Sequence, residues 1–277
     1  MQPQELVKAG RLPEALRELE QQIRKNPADA KLRFFLFQLL AVMGNWKRAA
    51  DQLSVSAEMD PGLLLDVQLY GPAMQAEAFR AEVFRGERAP LIFGEPEAWL
   101  GWLVQAAQLQ AQGKHAQANE LRAKALDEAP AHPGKADGKA FQWIMDADAR
   151  LGPTLECVLN GKYYWVPMHR IAKVTFDVPK DLRDLVWAQA HFTWTNGGEV
   201  AGLVPVRYAG SESSDSKHAL SKQTDWSEVA EGVQQGLGQR LLATDDGDLA
   251  LLEVRELVFD AGVSAAGGGD STGASNA

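Results

Sequence analysis

A glycine followed 17 residues later by a proline recurs three times in the first half of this 277-residue chain. The pairs are Gly10 and Pro27, Gly44 and Pro61, and Gly113 and Pro130. An alanine stands five positions after each glycine, at Ala15, Ala49 and Ala118. In a pair of packed helices the glycine ends the first helix, the small alanine permits close approach, and the proline ends the second helix.

The first two copies of this pattern start 34 residues apart, which is the period of tetratricopeptide repeats. We therefore predict a TPR-like helical domain over residues 1–151. Residues 62–98 interrupt the repeats, and a further helix is expected there at about 68–85. The first half is also rich in Ala, Leu, Gln and Glu, which favour helices.

Repeat solenoids expose a concave groove lined by the first helix of each pair. In the second copy, that lining would be Lys31, Phe34, Gln38, Ala41 and Val42. Two interpretations stay open at this stage. The groove binds a partner helix or peptide, or Phe34 and Val42 pack onto residues 62–98.

Composition changes near Gly152, where Val, Thr, Tyr, Trp and glycine turns become frequent. Three hairpins are predicted at 154–166, 190–204 and 237–259, around Asn-Gly, Asn-Gly-Gly and Asp-Asp-Gly turns. We expect a small β-rich barrel or sandwich domain at 152–260, and hence an α+β protein. Residues 261–277 are low in complexity and are predicted to be disordered.

Charge and composition exclude several function classes. The 28 Lys and Arg against 37 Asp and Glu give a net charge of −9, which argues against a dedicated nucleic-acid binder. A single cysteine permits neither an internal disulfide nor a Cys-based zinc site. No secretory signal and no apolar run of about 20 residues is visible, so we expect a cytoplasmic protein without membrane contact.

The usual catalytic and nucleotide-binding motifs are absent, and no cofactor or metal site is predicted. Cys157 alternates with apolar residues in a predicted strand, which favours a buried thiol. A less favoured alternative is an enzyme with a site between the domains, formed by Cys157, His169 and Arg170.

The run Tyr163-Tyr164-Trp165 lies in a predicted strand, so aromatic side chains must point to both faces of its sheet. If only one face is buried, Tyr163 and Trp165 become candidates for partner contact. The other interpretation is that the helical domain covers the second face.

Four segments occur in the order typical of one known family. They are PTLECVLNGKYYWVPMHRI at 153–171, VPVRYAGSE at 204–212, TDW at 224–226 and GLGQRLL at 236–242. The chain thus resembles the ImpE family, also called TagJ, over roughly residues 1–260. The resemblance implies a cytoplasmic, non-enzymatic accessory protein of bacterial type VI secretion systems.

The same resemblance implies two protein partners. One is the N-terminal helix of TssB, the small subunit of the contractile sheath, and the other is ClpV, the ATPase that disassembles sheaths. It identifies no binding residues. A self-assembling structural scaffold remains an alternative.

Overall fold

The computed structural model describes residues 1–95, 97–230 and 233–260, and the tail predicted to be disordered, 261–277, lies outside them. The helices are α1 (Pro3–Lys8), α2 (Leu12–Lys25), α3 (Ala30–Val42), α4 (Trp46–Met59), α5 (Leu64–Phe84), α6 (Ala98–Ala111), α7 (His115–Glu128) and α8 (Ser216–Ala219). Short 3-10 turns lie at Pro61–Leu63, Met168–Arg170, Leu182–Leu185 and Ser211–Ser213.

One short strand lies between α5 and α6, and all the other strands lie between residues 134 and 259. They are β1 (Leu91–Ile92), β2 (Gly134–Ala136), β3 (Lys139–Phe141), β4 (Ile144–Asp146), β5 (Thr154–Leu159), β6 (Lys162–Pro167), β7 (Ile171–Phe176), β8 (Trp187–Trp194), β9 (Glu199–Pro205), β10 (Thr224–Ala230), β11 (Val233–Gly238), β12 (Leu241–Thr244), β13 (Gly247–Ala250) and β14 (Glu256–Phe259).

The repeat glycines end helices in the way that the sequence predicted. Gly44 follows α3 with φ +69°, and the next amide, of Asn45, donates to the carbonyl of Leu40 at 2.9 Å. Equivalent bonds follow Gly10 and Gly113, whose φ values are +73° and +75°. This left-handed C-cap satisfies carbonyls that the helix end leaves free, and glycine adopts it without a Cβ penalty.

The repeat alanines and prolines also have their expected places. Ala15, Ala49 and Ala118 are each fully buried, so the paired helices approach closely. Helices α2, α4 and α7 end just before Pro27, Pro61 and Pro130. The long α5 then covers most of the segment that interrupts the repeats, which confirms the helix predicted at 68–85.

The β-rich part is built on a large open sheet, not on a barrel. Nine strands run in the order β1-β6-β5-β9-β8-β7-β14-β2-β3, with β1 and β3 as its edges. Two smaller sheets, β10-β11 and β13-β12-β4, complete it. Of the predicted barrel or sandwich, the closed barrel does not form, because the end strands β1 and β3 do not pair with each other. The α+β class is confirmed.

Strands begin earlier than the change in composition suggested. β2 to β4 precede residue 152, and β1 pairs in parallel with β6 from the middle of the helical half. These strands are two or three residues long, too short for a period-two pattern to reveal them. The division into domains 1–151 and 152–260 stays a prediction.

Two of the three hairpins form where their turns predicted them. β5 and β6 pair around Asn160 and Gly161, both with positive φ, and β8 pairs with β9. The third differs from the prediction, because only β12 and β13 pair across the turn at Gly247. Its predicted outer parts belong to β11 and β14, which lie in other sheets.

Successive side chains of β5 enter two different cores. Leu155, Cys157 and Leu159 pack within the sheet-rich part. Val158, on the opposite face, joins a core shared with the helices. The sheet and the helices therefore bury one common apolar layer. No helix among the described residues is long and apolar enough to cross a membrane.

Candidate functional site

A cavity of about 820 Å³ opens between α1, α3 and the loop that precedes β8. We call it the α3 groove. Its lining includes Val7 and Lys8 of α1, Lys31, Phe34, Phe35 and Gln38 of α3, Leu63, residues 179–182, Leu185, Leu220 and Lys222. Most of the side chains that form its floor are apolar. A concave apolar surface with a few polar groups is the usual form of a binding site.

The loop wall of the groove is fixed to α3 by a buried amide. Gln38 is only 5% exposed, and its Oε1 accepts the backbone N–H of Leu182 at 3.0 Å. The neighbouring Arg183 lies over the ring of Phe34, 5.1 Å from its centroid, and forms an ion pair with Asp66. These contacts hold the loop from the sheet-rich part against the concave side of the repeat.

The structure brings three of the five groove residues predicted from the repeat, Lys31, Phe34 and Gln38, into this one cavity. The prediction is wrong for Ala41 and Val42, which are fully buried in the core that the helices share with the sheet. Phe34 is partly exposed there, and its ring contacts Phe37, with centroids 5.5 Å apart, as well as Arg183. Lys31 is exposed and Gln38 is buried. Phe34 and Lys31 are thus available to a ligand, whereas Gln38 positions the wall.

Sequence reasoning missed the groove residues contributed by distant segments. Leu182 and Leu185 stand three positions apart in a loop rich in charged residues, so they were a weak signal for one buried face. Nothing in the chain order indicated that this loop lies on α3. Lys8, Lys180 and Lys222 were missed for the same reason.

The aromatic strand is not an exposed contact surface. Tyr163 is 2% exposed and Trp165 is fully buried. Their rings meet Phe79 and Phe84 of α5 at centroid distances of 6.1 and 6.2 Å. The helical part covers this face of the sheet, so the proposal that Tyr163 and Trp165 bind a partner is corrected: they join the helices to the sheet.

A buried charge network lies beneath this interface. Arg80 of α5 donates to both carboxylate oxygens of Glu156 at 2.6 and 2.9 Å, and Arg240 pairs with both Glu156 and Asp146. Burial raises the pKa of Glu156, but Arg80 and Arg240 outweigh it and hold that pKa at about 2. Burial dominates at Asp146 and raises its pKa to about 7.

Glu156 is the signal that sequence reasoning overlooked. It stands in the middle of an apolar strand, and a charge fully buried at such a position needs partners of opposite sign. Tyr163 also donates its hydroxyl to Glu156, and Trp165 Nε1 donates to Tyr163 at 2.7 Å. The network therefore links α5 to the aromatic strand.

Of the three residues of the enzyme alternative, His169 and Arg170 share Glu97 as a partner, whereas the Cys157 thiol donates to the carbonyl of Leu155. Burial raises the pKa of the Cys157 thiol well above its usual value, which is the opposite of an activated nucleophile. His169 Nε2 lies 3.0 Å from Glu97 Oε1, and burial lowers its pKa. Arg170 donates to the carbonyl of Phe93 at 3.0 Å. No group of described His, Cys, Asp and Glu side chains has a metal-binding arrangement.

Paired helices of the tetratricopeptide type, packed on a large open sheet with a groove between them, define a two-part α+β protein. Residues 6–66 match the tetratricopeptide repeat, and residues 138–258 match the ImpE protein family. The chain is 46% identical over 260 residues to the type VI secretion system accessory component TagJ of Pseudomonas aeruginosa, covering 93% of this chain and 90% of that one. The chain belongs to the ImpE family.

A solved structure has the same fold. The crystal structure of protein VPA1032 from Vibrio parahaemolyticus superposes with a TM-score of 0.86 at 26% sequence identity, over 94% of this chain and 98% of that chain. The similarity therefore extends through the helical and the sheet-rich parts together.

Proposed function

We propose that this protein is a non-enzymatic accessory component of a type VI secretion system. Its 46% identity to TagJ over nearly the whole chain supports this role. The helical and sheet-rich parts share a buried core, which suits a rigid platform for protein partners.

The partner we propose is the N-terminal helix of the small sheath subunit TssB, bound in the α3 groove. The observation that carries this proposal is the groove itself, a concave apolar surface formed where a tetratricopeptide repeat presents its first helix. An amphipathic helix buries its apolar stripe in such a groove. Phe34 is the aromatic side chain that would lie against that stripe.

Binding the sheath subunit would place the protein on the sheath, where ClpV-linked disassembly takes place. We propose that it assists this handling of the sheath in the cytoplasm, without a reaction of its own. The buried, unactivated thiol of Cys157 agrees with an adaptor role.

Fluorescence anisotropy of a labelled TssB N-terminal peptide, titrated with the full chain, tests the proposal. Phe34→Ala should raise the dissociation constant about thirtyfold, as expected for a central aromatic contact. Leu65→Ala is the matched control, because Leu65 is 75% exposed and lies outside the groove. Equal affinities for both variants, or no binding by the unaltered chain, would refute the assignment.

A self-assembling scaffold is the second candidate, and an exposed apolar cluster favours it. Leu64, Leu65 and Leu69 on the first turns of α5 are 54%, 75% and 39% exposed. Exposed apolar patches often mark protein contacts. Light scattering separates the two functions, since an adaptor keeps a fixed mass while a scaffold grows with concentration.

A further inference from the structure

We infer that the α3 groove selects an acidic amphipathic helix, one whose apolar stripe is flanked by Asp or Glu side chains. The inference rests on the proposed function, because it assigns the chemistry of the helix that the groove receives. The evidence for it is the positive charge of the lysine side chains around the groove.

Four lysines surround the groove, and we call them the rim lysines: Lys8, Lys31, Lys180 and Lys222. They come from α1, α3, the loop before β8 and the segment after α8, so the cations stand on different sides of the apolar floor. Lys222 Nζ donates to the carbonyl of Lys8 at 3.0 Å. Among the described residues, the ammonium groups of Lys8, Lys31 and Lys180 form no ion pair.

The acidic residues of the same lining are already engaged. Asp60 accepts the backbone N–H of Gly62 at 3.0 Å. Asp181 lies 3.1 Å from the guanidinium of Arg183. Asp181 is thus paired with a cation, and the four rim lysines outnumber the two carboxylates of the lining, so the net charge that the groove presents to a ligand is positive.

The positive charge of the groove is opposite in sign to the net charge of the whole chain, which is −9. An approaching helix with acidic flanks is attracted at the groove, whereas the net negative charge of the chain as a whole repels it. Such complementarity guides the encounter and fixes orientation more than it adds affinity, and salt screens it because the lysines are in contact with water. A basic amphipathic helix would place like charges against the rim lysines.

The experiment measures binding of the labelled TssB N-terminal peptide to the full chain at rising salt concentration. Lys31→Glu and Lys180→Glu should each raise the dissociation constant about fivefold at low salt, the upper range for an exposed ion pair. The effect should disappear at about 1 M salt, where the screening length falls to about 3 Å. Lys162→Glu, on an exposed lysine of the β5–β6 hairpin, is the matched control and should change nothing.

A charge-swapped peptide provides the second arm. When the acidic residues of the peptide are replaced by Lys, it should bind the Lys31→Glu variant more tightly than the unaltered chain. The inference is overturned if the rim reversals leave the affinity unchanged, or if the peptide has no acidic residue beside its apolar stripe. If Phe34→Ala still weakens binding in that case, the proposed function stands and only the charge selection fails.

Discussion

Replacing Glu156 by glutamine should destabilise the whole protein, because Glu156 is the carboxylate on which the buried network converges. Its two oxygens accept from Arg80 at 2.6 and 2.9 Å, and also from Arg240 and Tyr163. Glutamine keeps the size of the side chain, but it removes the negative charge and turns an NH₂ donor toward other donors. Arg80 and Arg240 then lose the carboxylate that they share.

The expected loss in the free energy of unfolding follows from the burial of this charge network. Removing one member of a buried ion pair costs about 3–5 kcal/mol, since an uncompensated charge stays in the interior. That is a large part of the about 5–15 kcal/mol that stabilises a typical fold. The matched control is Glu87→Gln, whose partner Arg85 lies 2.8 Å away while both side chains are 55% exposed. Its loss should stay below about 1 kcal/mol.

Equilibrium unfolding in urea, followed by tryptophan fluorescence, measures both losses, because Trp165 and Trp187 are fully buried. Glu77→Gln serves if Glu156→Gln does not fold. Burial raises the pKa of Glu77, so its charge matters less, and glutamine still accepts the Trp187 Nε1–H that lies 3.0 Å away. The free energy of unfolding lost by Glu77→Gln should fall between the losses for Glu156→Gln and Glu87→Gln. Equal losses for Glu156→Gln and Glu87→Gln would show that the buried carboxylate stabilises the fold no more than an exposed ion pair does.

Two further predictions concern a helix end and the thiol. Gly44→Ala should lose more stability in urea than Gly113→Ala: both glycines have positive φ, but only at Gly44 would a Cβ meet a side chain, 2.4 Å from Glu212 Cγ. Equal losses would contradict this packing argument. Cys157 should not react with a thiol-specific disulfide reagent until the protein unfolds, because it is fully buried and burial raises its pKa. Rapid reaction of the native protein would show that the thiol is accessible.

Features set by local chemistry were predictable from the sequence. The glycine that follows α3 and the Asn160-Gly161 turn each need positive φ, and the residue types in these short segments indicate that need. The repeat period then placed Lys31, Phe34 and Gln38 on one helix, and the structure puts all three in the α3 groove.

Features set by distant contacts were not predictable. The pairing of Leu91 and Ile92 with β6, the position of Leu182 on Gln38, and the open order of the large sheet depend on residues far apart in the chain. The aromatic strand shows the limit most clearly. Its alternation was visible, but whether α5 covers Tyr163 and Trp165 depends on how two separate layers pack.

Photo-cross-linking determines whether the α3 groove binds the TssB N-terminal helix. In one variant benzoylphenylalanine would replace Ala30, which lines the groove. In a second variant it would replace Lys162, which is exposed on the β5–β6 hairpin and does not line the groove. We predict a cross-link to the TssB peptide from position 30 and none from position 162. A cross-link from position 162 alone would contradict this prediction and move the binding site to the sheet.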